Sequence, residues 1–83
     1  MLAKLIKVEK TNIDGSDYEI RYFRNTNPNG NTSFTSEVTI GLNDKIILDD
    51  HSIVSLKHKV NVVLPVSLWS KRVWHRLRKQ DAQ

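Results

Sequence analysis

The sequence predicts an α+β domain that is mainly β. It has four to five short antiparallel strands and one C-terminal amphipathic helix, arranged as an open two-layer sheet and helix or as a small barrel. Three observations predict it. Apolar and polar residues alternate at period 2 through most of residues 2–64. Clusters of Asn, Asp, Gly and Ser break that alternation at short intervals. Beyond Pro65 the apolar spacing becomes that of a helix, and basic residues gather.

The first strand is placed at 2–10, with Leu2, Ile6 and Val8 on one side, interrupted by Lys4, and Ala3, Leu5, Lys7 and Glu9 on the other. Asn12–Asp17 follows as a turn in which Asp14-Gly15 is a hairpin dipeptide. Strand 18–24 sets Tyr18, Ile20 and Tyr22 against Glu19, Arg21 and Phe23, so Phe23 is an aromatic on a polar side, suited to a second cluster or to a partner. Residues 25–32 contain no hydrophobic side chain and hold Pro28 and Asn29-Gly30, which makes them an exposed connection.

Strand 33–41 alternates Phe34, Ser36, Val38 and Ile40 with a wet row of Ser33, Thr35, Glu37 and Thr39. A turn at Asn43-Asp44 leads to a short strand at 45–48, and Asp49–Ser52 forms the next turn. The longest alternation then places Val54, Leu56, His58, Val60, Val62 and Leu64 on one face of a fifth strand, 53–64, which Pro65 closes because it donates no ladder hydrogen bond. A neutral, buried His58 would make the fold acid-sensitive between about pH 5 and 7.

The helix is placed at 67–79. At 100° per residue Val66, Trp69, Val73 and Leu77 share a stripe that covers the sheet, with Trp74 at its edge and Leu68 on the basic side.

Composition bounds the function. The 83 residues form one domain, 1–83, and 39% hydrophobic with 27% charged residues excludes wholesale disorder. With no cysteine there is no disulfide, thiolate metal site or cysteine nucleophile. The apolar runs are too short to cross a bilayer, so transmembrane insertion is not expected. The N-terminal segment lacks the core of a signal peptide, and the expected location is the cytoplasm. Asn31-Thr32-Ser33 matches a glycosylation acceptor, a cheap match that carries no weight without a leader.

Net charge is zero over residues 1–40 and over 41–69, and the whole excess of +4 lies in 70–83. Charge gathered on one surface steers anionic partners there. The first expectation is therefore a small non-enzymatic protein that binds the DNA or RNA backbone through Lys71, Arg72, His75, Arg76, Arg78 and Lys79. The alternative is a protein-interaction or self-associating module using Trp69 and Trp74 of the helix, with Phe23. Asp44, Asp49, Asp50, His51 and His58 are the only polar cluster of active-site type, and their spacing reads as turn chemistry. No phosphate loop, HExxH or GxSxG motif occurs, so no catalytic residue, metal ligand or cofactor is expected.

Overall fold

The computed structural model describes the backbone of residues 2–81 and the side chains of residues 3–71. Four antiparallel strands, β1 (Leu2–Ile13), β2 (Ser16–Thr26), β3 (Thr32–Thr39) and β4 (Lys45–Asp50), form an open sheet in the order β1-β2-β3-β4. One long helix, α1 (Ile53–Asp81), crosses one face. This is the open α+β arrangement and not the barrel, since β1 and β4 remain unpaired edges.

Local chemistry sets each connection. Asp14 and Gly15 both have positive φ, 53° and 83°, as a two-residue type I′ hairpin requires. Ile13 pairs directly with Ser16, so the strands run further into this turn than the polar residues suggest. The side-chain carbonyl of Asn12 accepts the Gly15 N–H at 3.2 Å, and its amide donates to Asp17 at 2.8 Å. Between β2 and β3 the loop is pinned by the Asn27 N–H donating to the Asn31 carbonyl and the Gly30 N–H to the Asn27 carbonyl, both at 2.9 Å.

Faces follow from register. Ile20, Tyr22, Ser36 and Val38 lie beneath the helix, with Ile46 and Leu48 beside them. Phe23, Asn25, Ser33, Thr35, Ile47 and Asp49 share the opposite, helix-free face. In β1 the pairing jumps from Leu5↔Phe23 to Lys7↔Tyr22, so Ile6 is an extra residue in a bulge. A one-residue slip exchanges faces. The bulge therefore places Lys7 and Glu9 on the helix side and both Leu5 and Val8 on the open side, where uninterrupted alternation puts Leu5 with Lys7 and Glu9.

The helix corrects two expectations. Residues 53–64 are not a fifth strand but the first three turns of α1, and the helix does not begin at Ser67. Ser52 caps it: its carbonyl accepts the Leu56 N–H at 2.9 Å, and its hydroxyl lies 3.5 Å from the Ser55 N–H. Pro65 sits inside the helix instead of ending a strand. The buried row is Leu56, Val60, Leu64 and Leu68, at four-residue spacing. That spacing satisfies period 2 and nearly satisfies period 3.6, so these residues look alike in a strand and in a helix. Val54 and Val62 separate the two readings: the strand buries them with Leu56, yet they are 75% and 54% exposed.

The core of Ile20, Tyr22, Val38, Leu56, Val60, Leu64 and Leu68 contains one anomaly. Ser36 is fully buried, and its Oγ has no hydrogen-bond partner among the described residues. A desolvated, unpaired hydroxyl costs about 1–3 kcal/mol. Ser36→Ala is therefore expected to stabilise the fold by about 1 kcal/mol, read as a higher urea midpoint with an unchanged slope. A lower midpoint would mean that the hydroxyl is paired in solution.

Candidate functional site

The outer face of α1 is the most distinctive surface. From Val60 through Ser70 run eleven residues without a charge, about three turns of helix. One side of this segment carries the buried row. Nearly opposite, Val62, Val66 and Trp69 fall within about 60° of arc and are 54%, 58% and 64% exposed. Val66 and Trp69, expected in a stripe that covers the sheet, thus face away from it, while the side chains of Val73 and Leu77 lie outside the described residues; Leu68, expected among the basic residues, is in the core. Sequence reasoning singled out Trp69 and Val66 but assigned them the wrong neighbour; the charge-free run is the signal that marks both sides of this segment.

Flanking the neutral segment, the described lysines of α1 are all tied to the sheet. Lys57 meets Glu9 at 3.1 Å and lies 5.8 Å from the Tyr22 ring centroid. Lys59 meets Asp50 at 3.3 Å and donates to the Asp49 carbonyl at 2.9 Å. Lys71 meets Asp44 at 2.8 Å and donates to the Ile40 carbonyl at 3.3 Å. A Cβ at Gly41 would collide with the Lys71 ammonium, so glycine allows this close approach. Pairs this exposed contribute about 0–1 kcal/mol each. The buried row of Leu56, Val60, Leu64 and Leu68 sets the rotation of the helix and so the outward direction of the apolar stripe, and these pairs accompany it.

Lys71, one of the basic residues expected to meet phosphates, is thus engaged by the β3–β4 loop. Arg72, Trp74, His75, Arg76, Arg78 and Lys79 continue on helical backbone, and their side chains lie outside the described residues. Phe23 is half-buried on the helix-free face of the sheet and shares no surface with Trp69.

The polar cluster divides. Asp44 is on the β3–β4 loop, and His58 is exposed on α1, so the acid sensitivity inferred from its burial loses its premise. Asp49 and Asp50 are the last residues of β4 rather than turn formers. With Asn25, Ser33, Thr35, His51 and Lys59 they line an open cleft of about 510 Å³. The amide of Asn25 donates to Thr35 at 2.7 Å, Thr35 donates to Asp49, and Lys59 holds Asp50. These bonds join Asn25, Thr35 and Asp49 into one chain along the cleft and hold Asp50 beside Lys59. Among the described residues no group of three His, Cys, Asp or Glu side chains is placed to hold a metal ion.

Two carboxylates carry a pH signature. The Lys7 ammonium, 2.9 Å away, holds Glu9 below its ordinary range, with Lys57 adding to the effect against partial burial. For Asp50, burial acts to raise the carboxyl, but hydrogen bonds from the His51 N–H and Lys59 outweigh it and hold the carboxyl low. Conversely, Glu9 raises Lys7. The unfolded chain therefore binds more protons near pH 4. The two carboxylates stabilise the fold above their unfolded values of about 4, and this is lost as pH falls through the lower folded values. Lys7 stabilises below its unfolded value of about 10.4 and ceases to as pH rises through its raised one. Urea midpoints measured from pH 2 to 7 are expected to be level above about pH 5 and to fall below about pH 4, with a shallower fall in Glu9→Gln. An acid arm unchanged in that variant would exclude Glu9 as its source.

No protein-family model, curated protein or solved structure matches the chain. Among the described residues no helix is long and apolar enough to cross a membrane.

Proposed function

We propose that the protein is a non-enzymatic association module whose working surface is the outer face of α1. One observation carries this reading: three charge-free turns with apolar rows on nearly opposite sides, of which the fold covers one. A helix apolar on both sides is the pattern of a helix packed on both sides. The exposed tryptophan at its centre is the residue type most enriched where binding energy concentrates. The test is a photo-crosslinking amino acid at position 66, irradiated in the cells that make the protein. A discrete protein adduct is expected at 66 and none at 47, an exposed position on the helix-free face of the sheet. Adducts absent from both positions, or equal at both, would overturn the reading.

A second reading is favoured by the charge distribution. The +4 of residues 70–83 rides on one helix that runs unbroken to Asp81. Arg72, Arg76, Arg78 and Lys79 are the cations proposed to meet a DNA or RNA backbone, with His75 beside them and Lys71 set aside by its pairing with Asp44. Four phosphate contacts lose about 100-fold in affinity between 50 and 200 mM salt. Anisotropy with labelled duplex DNA is expected to give that slope. Arg72→Ala with Arg76→Ala should weaken binding to all sequences alike, and Lys71→Ala should leave it unchanged. No binding at 50 mM salt would end this reading.

A further inference from the structure

We infer that the surface covering the outer face of α1 is the same face of a second copy, in a two-fold dimer with the two helices packed side by side. The inference rests on the reading of α1 as the working surface and names its occupant.

The first ground is area. The chain exposes 6360 Å², whereas a compact monomer of its mass presents roughly 5,100 Å². The excess of about 1,300 Å² exceeds the roughly 800 Å² that each partner buries in a standard interface. Shape agrees with area: the radius of gyration is 15.4 Å against about 12 Å for a compact domain of this length. The extents of 55 × 24 × 20 Å describe an elongated plate, and docking a second plate along its length removes the excess.

The second ground is the layer geometry. Four strands at about 4.8 Å spacing make a sheet wider than one helix of about 10 Å diameter can cover. The helix packs chiefly on β3 and β4. Beside it, over the β1–β2 hairpin, a groove of about 170 Å³ is lined by Thr11, Ile13 and Ile20 on the sheet and by Val60, Asn61, Leu64 and Pro65 on the helix. On the helical wheel Pro65 lies between the buried row and Trp69, so the groove, polar only at Thr11 and Asn61, adjoins the stripe.

The third ground is charge. In an isologous contact every residue meets its own kind of surface, so an unpaired cation on the face would repel its symmetry mate. The stripe has none; Lys59, at its margin, is paired with Asp50, and Lys57 and Lys71 lie on the sheet side of the helix, paired with Glu9 and Asp44. The face is therefore self-compatible.

The test is the mass in solution by light scattering between about 1 and 100 μM, a range that spans moderate dimer affinities. A mass of twice the 9.6 kDa chain is expected. Val66→Glu places a charge in the contact and is expected to raise the dissociation constant about 100-fold or more with an unchanged far-UV spectrum. Trp69→Ser, milder for the fold, should shift the equilibrium in the same direction. Ile47→Glu, on the opposite face of the sheet, should leave the dimer intact. A monomer at 100 μM would overturn the inference, as would a dimer broken by Ile47→Glu and not by Trp69→Ser. A monomer that still gives a discrete adduct at position 66 with another protein would overturn the second copy while leaving the association reading standing. A monomer that binds anionic vesicles through Trp69 would overturn both.

Discussion

Leu56→Ala is expected to destabilise the protein by about 2–5 kcal/mol, the range for truncating a fully buried leucine. Leu56 is 0% exposed and belongs to the cluster where α1 meets Tyr22 and Val38. A chain of this length has about 4–12 kcal/mol in total, so the loss takes a large share of it, a fall in Tm of roughly 10–30 °C. The matched control is Val54→Ala. In an alternating strand residues 54 and 56 are equivalent; in the helix Val54 points to solvent at 75% exposure and should change stability by less than about 0.5 kcal/mol. Thermal melts of the two variants therefore test the helix as well as the core. Similar losses for both would restore the strand.

Pro65→Ala is expected to act in the opposite direction, stabilising by up to about 3 kcal/mol. Inside α1 the proline ring crowds the preceding turn and removes the N–H that would bond to the Asn61 carbonyl. Alanine restores that bond, and because Pro65 is exposed the change leaves no cavity. Helical signal in the far-UV spectrum and the melting temperature should rise together. If Pro65 instead closed a strand, the same substitution would remove a stop signal and bring no such gain. A lower melting temperature in Pro65→Ala would show that the helix depends on the proline's geometry.

These two positions also explain how much of the fold was legible in the sequence. The hairpin at Asp14-Gly15, the wet and dry rows of β3 and the presence of the first four strands were readable, because turn chemistry and period 2 agree there, whereas their order in the sheet was not. Residues 53–64 were not. Isoleucine and valine favour strands, the four-residue spacing of Leu56, Val60 and Leu64 fits both periods, and Pro65 reads as a terminator. Packing against the sheet overrides all three.

The bulge at Ile6 left no trace in composition, because an inserted residue looks like ordinary alternation until its partner strand is known. For the candidate site, Trp69 and Val66 were identifiable as a helical pair, but their direction was not. Direction depends on which row the sheet buries, and that follows from where the helix begins, at Ser52 and not at Ser67. Lys71 shows the same dependence: its charge was legible, while its neutralisation by Asp44 required the β3–β4 loop to be placed.

The irregularity in β1 matters beyond its effect on faces. Without it, a twelve-residue outer strand bearing Leu5, Ile6 and Val8 toward solvent would offer an unbroken template on which foreign chains could zip into fibrils. The added residue at Ile6 breaks that template near its middle, and Lys4, Lys7 and Lys10 set a positive charge at every third step along it. An intruding strand would find no continuous row of donors and acceptors and would meet repeated cations, so the kink that complicates the fold also keeps its margin from recruiting aggregates.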